Sequence, residues 1–400
     1  MTVVGIGADG WPGLPAASRE AVLAADVVAG SVRQLSLLGA EVTAERVAWP
    51  TPLLPALPGI LETYRGRRLV VLASGDPMFY GIGTSVVRLL GASAVRVLPH
   101  ASSVSLACAR LGWAVDEVEI VSLVGRPVET LHPAVQPGRR VLVLVSEPEA
   151  AAVVSSLLVQ RRFGASHVAV LEQLGGPAER IVSSTAVSWR GEHDPLAVVA
   201  LECVPEPGAA PLPRTPGLPD SAYDSDGQLT KREVRAVALA ALAPVPGQLL
   251  WDVGAGSGSV GIEWMRSHPA CRAIAVEPRQ DRRERIAHHA RTLGVPLLQI
   301  VHGAAPEALD GLPAPDAVFV GGGVSVPGVL EACVAALQPG GRLVANAVTV
   351  ETEAVLAGWH GRVGGALTRI AVQRGEPVGG FTGWRAAMPV TQWSYRKEAR

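Results

Sequence analysis

Short runs of Val, Leu and Ala alternate with segments of helical periodicity along most of the chain. Such runs are typical of buried strands in a parallel sheet, and the segments between them are typical of crossover helices. In the first half the pattern predicts strands at 2–7, 68–74, 94–99, 140–146, 167–174, 180–187 and 196–203. It predicts helices at 18–29, 80–90, 102–111 and 149–162. Because the last strands follow one another without a helix, we expect an antiparallel end to the sheet, and two lobes divided near residues 99–116.

The second half shows the same alternation. Thr230 and Glu233 have the spacing of a capping box, which predicts a helix from there to about Leu242. Further helices are predicted at 259–268 and at 280–293, the latter ended by Gly294. The predicted strands lie at 248–253, 272–277, 298–302, 316–320 and 341–347, and residues 365–372 and 384–395 are predicted to form a terminal antiparallel pair.

A proline-rich segment separates the two halves. Residues 204–220 contain six prolines, which remove backbone donors and hold the chain extended. We therefore expect one domain at 1–203, a semi-rigid linker at 204–220 and a second domain at 221–400. Both domains are predicted to be of the α/β class.

Composition narrows the class of protein. Of the 400 residues 48% are hydrophobic and 18% charged, which excludes a disordered chain. The formal net charge of -1 argues against binding to nucleic acid or to an anionic membrane. The four cysteines lie far apart in sequence, so we expect buried, reduced thiols and no metal site. Because neither a signal-peptide pattern nor a membrane-spanning stretch is found, we expect a cytoplasmic protein.

A glycine-rich segment follows the predicted strand at 248–253. Residues 251–259 read Trp-Asp-Val-Gly-Ala-Gly-Ser-Gly-Ser, and the glycines allow a sharp turn and a close approach of the backbone to a ligand. The spacing G-x-G-x-G differs from the G-x-G-x-x-G of dinucleotide-binding folds. Glu277 ends the next strand, where a carboxylate can accept hydrogen bonds from ribose hydroxyls.

This combination resembles the class I S-adenosylmethionine (AdoMet) methyltransferases. Residues 230–235, 302–309, 318–323 and 345–352 add a resemblance to the decarboxylating methyltransferase domain of corrin biosynthesis. The resemblance implies that AdoMet contacts Thr230, Gly254, Ala255, Gly256, Ser257, Gly258, Glu277 and Ala305. It also implies a loop that accommodates a bulky macrocycle, for which a close turn is the alternative, at Gly321, Gly322 and Gly323.

Loops rich in glycine and proline also follow several predicted strands of the first half. They are Gly-Ile-Gly at 5–7, Ser-Gly-Asp-Pro-Met-Phe-Tyr-Gly at 74–81, Pro-His-Ala-Ser-Ser at 99–103 and Ser-Leu-Val-Gly at 122–125. As an ordered set they resemble the tetrapyrrole methylase family, whose AdoMet lies in a trough between two lobes. The resemblance implies that AdoMet is bound by Gly5, Gly7, Gly75, Asp76, Pro77, Ser102 and Ser103.

Several of these side chains have a structural alternative. Asp76, which is also a candidate for a catalytic role, could instead close an Asx turn within its own loop. Ser102, Ser103 and Thr230 are also suited to cap the helices that follow them. His100 and Glu172 could take part in catalysis, although a structural hydrogen bond is the commoner role of a lone residue at a strand end.

Two methylase halves in this order resemble a family of decarboxylating corrin methyltransferases. The resemblance implies methylation of a reduced tetrapyrrole at C5 by the first domain and at C15 by the second, which would also remove CO2 from the C12 acetate. It implies two AdoMet sites, no metal and a homo-oligomer. Asp226, Asn346 and Glu351 are the candidates for proton transfer.

Some alternatives stay open from the sequence. Arg232 and Arg235 could bind substrate carboxylates at the mouth of a cleft or lie on a solvated helix face. An RNA methyltransferase is the main alternative function, because both fold types occur in such enzymes, although no basic patch with interleaved aromatic residues supports it. A non-catalytic AdoMet-binding protein is the other alternative.

Overall fold

The computed structural model describes residues 1–210 and 212–399. Residue 211, in the expected linker, and residue 400, at the end of the expected second domain, lie outside the described residues. The chain divides into two compact units, of which the first comprises residues 1–128 and 137–209 and the second residues 129–136 and 210–400. In the described part of the chain, no helix has the length and apolar character needed to cross a membrane.

The first unit contains two sheets. The strands of the first sheet are β1 (Thr2–Ile6), β2 (Val27–Gly30), β3 (Glu45–Ala48), β4 (Leu69–Ser74) and β5 (Arg96–Leu98). They lie in the order β3-β2-β4-β1-β5 with parallel pairing throughout the described residues. The strands of the second sheet are β6 (Glu119–Ser122), β7 (Arg140–Leu144), β8 (His167–Glu172), β9 (Arg180–Thr185) and β10 (Ala197–Glu202). Their order is β6-β7-β10-β8-β9, and β10 runs antiparallel to both neighbours.

The two expected lobes and the antiparallel end of the sheet are therefore confirmed. Helices of the first unit are α1 (Gly10–Gly13), α2 (Ala16–Leu23), α3 (Val32–Ser36), α4 (Leu53–Thr63), α5 (Ile82–Leu90), α6 (Ser103–Leu111) and α7 (Ala150–Gln160). The sequence pattern does not predict β2, β3, β6, α3 or α4. Each of the three strands is four residues long, and α4 contains Pro58, so periodicity gives little signal there.

The expected helix at 18–29 is wrong over its second half. The helix ends at Leu23, and the four residues of β2 are all buried in the sheet. Val27 and Val28 are β-branched and pair with β4. Both features stabilise the extended conformation over a longer helix.

The second unit is built around one large sheet and a hairpin. Its strands are β11 (Leu249–Val253), β12 (Arg272–Glu277), β13 (Gln299–His302), β14 (Ala317–Val320), β15 (Arg342–Ala347), β16 (Ala366–Ile370), β17 (Gln373–Val378), β18 (Phe381–Ala386) and β19 (Val390–Arg396). The sheet has the order β13-β12-β11-β14-β15-β19-β16, with β19 antiparallel to both neighbours. The helices are α8 (Arg232–Leu242), α9 (Ser259–Ser267), α10 (Gln280–Thr292), α11 (Val329–Ala336) and α12 (Val350–Val363).

Both faces of this sheet are covered by apolar cores. Leu250 on β11 enters one core, whereas its neighbours Leu249 and Trp251 enter the other. Alternate residues of a strand point to opposite faces, so a strand buried on both faces reads as a continuous apolar run. This burial explains why the strand pattern of the second half is readable from the sequence.

Two expectations for the second half are corrected. The capping box at Thr230 is wrong, because α8 begins at Arg232 and its N-cap, Lys231, makes no side-chain cap hydrogen bond. The predicted strand at 384–395 is in fact parts of two strands, interrupted before β19 at Pro389, which has no backbone donor. Strand β18 pairs with β17 in a separate hairpin, while the expected antiparallel terminal pair is formed by β16 and β19.

Candidate active site

The glycine-rich loop lies between β11 and α9, where the strand order reverses. Gly254, Gly256 and Gly258 have φ values of 66°, 59° and 74°, a region that favours glycine. A Cβ at Gly254 would lie 2.8 Å from the Cα of Gly322 in the loop after β14. The missing side chain therefore allows two loops to meet at the switch point, the place where ligands bind in open α/β sheets.

Glu277 holds the loop from the neighbouring strand. It is 2% exposed and ends β12. Its Oε2 accepts a hydrogen bond from the backbone N–H of Gly256 at 2.9 Å, and its Oε1 accepts one from Arg279 at 3.1 Å. The carboxylate thus lies beside the loop, as a ligand of ribose hydroxyls would require.

Asp252 lies on β11, two residues before Gly254, and is not among the residues expected to contact AdoMet. Its Oδ2 accepts the backbone N–H of Gly261 at 2.9 Å, which fixes the start of α9 on β11. Burial, reinforced by the negative charge of Glu277, raises the pKa of Asp252 to about 7. The carboxyl group is therefore partly protonated at neutral pH.

The other loops of the site follow the same edge of the sheet. Val253 is in register with Val276 and with Val320, so the loops after β11, β12 and β14 begin at one level. Ala305 lies half-buried after β13, and Gly321 and Gly323 lie exposed after β14. Asn346 near the end of β15 accepts the side-chain amide of Gln392 on its Oδ1 at 3.0 Å. The parallel register, which local pattern does not supply, brings these expected residues to one edge.

The two acidic candidates have surroundings that favour the ionised form. Asp226 accepts from Arg282 at 3.0 Å and lies 3.3 Å from Arg279. The hydrogen bond from Arg282 lowers the pKa of Asp226. Hydrogen bonds from its own backbone and from Thr349 lower the pKa of Glu351, which is exposed in the first turn of α12.

The expectation that Arg235 lies at a cleft mouth is wrong. Its side chain is fully buried, and Nε donates to Oε1 of Glu263 at 2.6 Å. It also donates to the carbonyl oxygens of Leu218 and Thr230, each at 2.5 Å. Arg235 is therefore a structural ion-pair residue, whereas Arg232 is exposed and remains accessible.

A cleft of about 410 Å³ lies next to the glycines after β14. Its wall includes Val324, Val326 and Trp359. The guanidinium of Arg362 lies 4.2 Å from the centre of the Trp359 ring. The cleft thus combines apolar side chains with one cation, Arg362, and one acid, Glu331.

In the first unit, loops after four strands meet closely. A Cβ at Gly5 would lie 2.0 Å from the carbonyl oxygen of Gly75 and 2.6 Å from the backbone nitrogen of His100. A Cβ at Gly176, after β8, would lie 2.8 Å from the Cβ of Ala8. The structure therefore brings the loops of both lobes together around Gly5 and Gly75.

Several side chains in these loops of the first unit make the structural contacts that the sequence offered as alternatives to cofactor binding or catalysis. Asp76 accepts the backbone N–H of Met78 at 2.8 Å, which closes an Asx turn. Ser102 caps α6 by accepting the N–H of Ser105, whereas Ser103 is the first helical residue. His100 lies with its Nε2 3.1 Å from a carboxylate oxygen of Asp9.

Glu172 is a structural residue. It is buried and accepts hydrogen bonds from Arg180 at 2.8 Å and from the backbone N–H of Asp194 at 3.0 Å. The hydrogen bond from Arg180 lowers its pKa. A catalytic role for Glu172 gains no support from this geometry.

The four cysteines are all buried, as expected. Burial raises the pKa of the Cys333 thiol to about 12, which makes it a poor nucleophile. Among residues 1–210 and 212–399, no group of three or more His, Cys, Asp or Glu side chains could hold a metal ion.

The second unit thus has the strand order and the glycine-rich loop of a class I AdoMet-dependent methyltransferase, and the first unit has the two-lobed fold of the tetrapyrrole methylases. The family described as "Precorrin methyltransferase domain" matches residues 221–397. The family described as "Tetrapyrrole (Corrin/Porphyrin) Methylases" matches residues 1–188.

Relatives match the whole chain and its halves. A "Precorrin-6Y C(5,15)-methyltransferase [decarboxylating]" of Sinorhizobium sp is 48% identical over 99% of this chain and 96% of its own length. A "Probable cobalt-precorrin-6B C(15)-methyltransferase (decarboxylating)" of Pyrobaculum calidifontis is 36% identical over 44% of this chain and 93% of its own length. A "Cobalt-precorrin-7 C(5)-methyltransferase" of Salmonella typhimurium is 32% identical over 50% of this chain and 98% of its own length. The chain belongs to the precorrin-6Y C(5,15)-methyltransferase (decarboxylating) family.

Proposed function

We propose that this protein methylates precorrin-6Y at C5 and C15 with AdoMet and removes CO2 from the C12 acetate, giving precorrin-8X. The observation that carries the proposal is the match to a decarboxylating C(5,15)-methyltransferase over 99% of the chain. The presence of a glycine-lined loop cluster in each unit supports it, because each methyl transfer needs a place for its own donor.

We assign C5 methylation to the domain at 1–203 and C15 methylation with decarboxylation to the domain at 221–400, joined by the linker at 204–220. The family matches to residues 1–188 and 221–397 support a boundary between them. The two relatives that each cover about half of this chain carry one of the two activities in their names, which supports separable domains.

The glycine-rich loops of both units leave room for the backbone to approach AdoMet. In the second unit Gly254, Ala255, Gly256, Ser257 and Gly258 would hold AdoMet with Thr230, Glu277 and Ala305. In the first unit the holding residues would be Gly5, Gly7, Gly75, Asp76, Pro77, Ser102 and Ser103. The sulfonium of AdoMet supplies an electrophilic methyl group, and the enamine-like carbons of the macrocycle are adequate nucleophiles. The chain's contribution is then mainly to align the two reactants and to exclude water.

Substrate binding in the second unit is proposed for the loop at Gly321, Gly322 and Gly323 and the cleft beside it. A conjugated macrocycle suits the apolar side chains of this cleft, among them Trp359. Arg362 in the cleft wall and Arg232 on α8 would bind carboxylates, whereas Glu331 in the same wall would repel them. Arg232 is exposed, which leaves its guanidinium free to meet a ligand.

Proton handling is proposed for Asn346, Glu351, Asp226 and, in the first unit, Asp76. Asn346 has the best position, because it lies near the carboxyl end of β15. Since the arginines around Asp226 hold it ionised, it would act through its charge or as a proton acceptor. Electrons left by loss of CO2 can be delocalised into the macrocycle, which needs no metal. We further propose that the enzyme is a homo-oligomer, as the resemblance of the first half implies, and that it is cytoplasmic.

The test is turnover of purified precorrin-6Y by the full chain with AdoMet, followed by mass spectrometry and NMR of the product. We expect a product with two added methyl groups and without the C12 carboxyl group. Calorimetry with S-adenosylhomocysteine should show two sites in each chain. Binding without turnover would overturn the proposal in favour of a non-catalytic AdoMet-binding protein.

A further inference from the structure

His289 joins the glycine-rich loop to the segment that precedes α8. It lies on α10, is 2% exposed, and uses both ring nitrogens. Nδ1 lies 3.0 Å from the carbonyl oxygen of Ser257. Nε2 lies 2.9 Å from the backbone nitrogen of Asp224, whose N–H points to it.

The chemistry of the two partners fixes the tautomer of the ring. A carbonyl oxygen can only accept, so Nδ1 of His289 must carry the hydrogen that bonds Ser257. A backbone N–H can only donate, so Nε2 must present its lone pair to Asp224. The neutral Nδ1–H form satisfies both contacts, whereas a protonated ring would place two donors against each other at Asp224.

The surroundings of the ring disfavour protonation. Tyr223 packs its ring edge-on at 5.6 Å, and His288 lies at 6.0 Å on the same helix. Burial lowers the pKa of His289, and the charges of His288 and Arg285 lower it further. The hydrogen bond to the Ser257 carbonyl and the charge of Asp224 act in the opposite direction and raise this pKa. The lowered pKa keeps the ring neutral at physiological pH.

We infer that His289 is a positioning residue of the AdoMet site in the second unit, holding Ser257 of the glycine-rich loop to Asp224. The inference rests on the proposed binding of AdoMet by this loop. Ser257 lies between Gly256 and Gly258, two glycines with left-handed backbone, so the loop has few side chains of its own to restrain it. Asp224 begins the segment that carries Asp226 and Thr230. One imidazole thus fixes two parts of the proposed cofactor site.

The test compares three variants of the full chain with the wild type. His289→Leu removes both hydrogen bonds. His289→Asn keeps a donor and an acceptor and stays neutral at every pH. His288→Leu is the matched control, because this neighbouring histidine is exposed. The measurements are hydrogen exchange of the amides at 222–226 and 254–258, corrected for intrinsic rates, and calorimetric affinity for S-adenosylhomocysteine, both between pH 5 and 8.

The expected results separate positioning from a general loss of stability. In the wild-type protein, acidification should accelerate exchange in both segments and weaken ligand binding at one site. His289→Leu should show fast exchange at every pH and about tenfold weaker binding at that site, equivalent to one net hydrogen bond. His289→Asn should restore part of the affinity and remove this pH dependence. His288→Leu should bind as the wild type at pH 8, and its acid-dependent change should begin at a higher pH, because the variant lacks the charge of His288 that lowers the pKa of His289.

Two outcomes would overturn the inference. One is an unchanged pH dependence of exchange in His289→Asn, and the other is unaltered exchange in His289→Leu. Failure of the proposed function is distinguishable, because it would appear as absence of ligand binding by the wild-type protein, while exchange in the ligand-free chain still decides the role of His289.

Discussion

Glu277 accepts the backbone N–H of Gly256 at 2.9 Å, which joins the end of β12 to the glycine-rich loop after β11. The side chain of Glu277 is buried and accepts backbone N–H groups of Gly256 and Arg279, so the carboxylate is already oriented before a ligand arrives. This arrangement supports the proposed role of Glu277 as an acceptor for the ribose hydroxyls of AdoMet.

Glu277→Gln should weaken binding of S-adenosylhomocysteine at one site by about 10- to 100-fold. The amide keeps one acceptor for Gly256 but loses the charge, and hydrogen bonds to charged groups contribute about 1.5–3 kcal/mol. Calorimetry measures the effect. Glu284→Gln, on the exposed face of α10, is the control and should leave both affinities unchanged. Equal affinities of Glu277→Gln and the wild type would remove Glu277 from the site.

Gly254→Ala should reduce the stability and the ligand binding of the second unit more than substitution of another glycine with a positive φ. The new Cβ would lie 2.8 Å from the backbone of Gly322, in addition to the strain of a positive φ. Gly311→Ala is a matched control, since Gly311 has a φ of 75° but no atom within 4 Å of its Cβ position. We expect strain of about 1–2 kcal/mol in the control and a larger loss in Gly254→Ala, with ligand binding lost only there. Thermal unfolding and calorimetry check both effects, and similar losses in the two variants would contradict the close contact.

Gly5→Ala should abolish C5 methylation while C15 methylation and decarboxylation continue. Its Cβ would lie 2.0 Å from the carbonyl oxygen of Gly75, so strand β1 and the loop after β4 would have to move apart. Mass spectrometry should then detect a decarboxylated product with one added methyl group. Gly59→Ala, which meets no atom within 4 Å and lies in α4, should give the wild-type product. Loss of both methylations in Gly5→Ala would contradict the division of labour between the domains.

Asp252→Asn should change how stability depends on pH. The pKa of Asp252 is raised from 3.8 to about 7, so the folded chain binds more protons than the unfolded chain between these values. The contribution of this group to stability therefore falls as pH rises through that window. Asn keeps an oxygen for the N–H of Gly261 and cannot ionise. Thermal unfolding from pH 4 to 8 should show the variant gaining stability relative to the wild type as pH rises, and parallel curves would refute the shift.

Arg235 and Glu263 should behave as a coupled structural pair. Removal of one partner leaves a buried charge, which costs about 3–5 kcal/mol, so Arg235→Met and Glu263→Gln should each be strongly destabilised. The double variant should lose less stability than the sum of the two single variants, as measured by chemical denaturation.

Arg232→Ala, on the exposed side of α8, should unfold like the wild type but raise the KM for the tetrapyrrole. A stability loss in Arg232→Ala equal to that in Arg235→Met would contradict these assignments.

Much of the fold is encoded in local pattern. The strands at Leu249–Val253 and Arg272–Glu277 are buried on both faces, so their apolar runs predict them within a residue. The pattern does not predict strand β2, because its four residues follow closely after a helix and could continue it. The sheet pairing that favours its extended conformation comes from β3 and β4, which lie further along the chain at 45–48 and 69–74.

By itself the sequence determined the two α/β halves, the glycine-rich loop and the acid after the second strand of its sheet, because each of these depends on neighbouring residues or on one strand-to-helix turn. Only the tertiary structure decided which polar side chains near the proposed site are buried in structural contacts and which stay exposed. Arg235 and Arg232 differ by three positions on one helix, yet Glu263 from a distant segment buries the first and leaves the second exposed. His289 acquires its role from Ser257 and Asp224, 32 and 65 residues away. Burial and hydrogen-bond partners depend on segments that only folding brings together, and no local pattern records them.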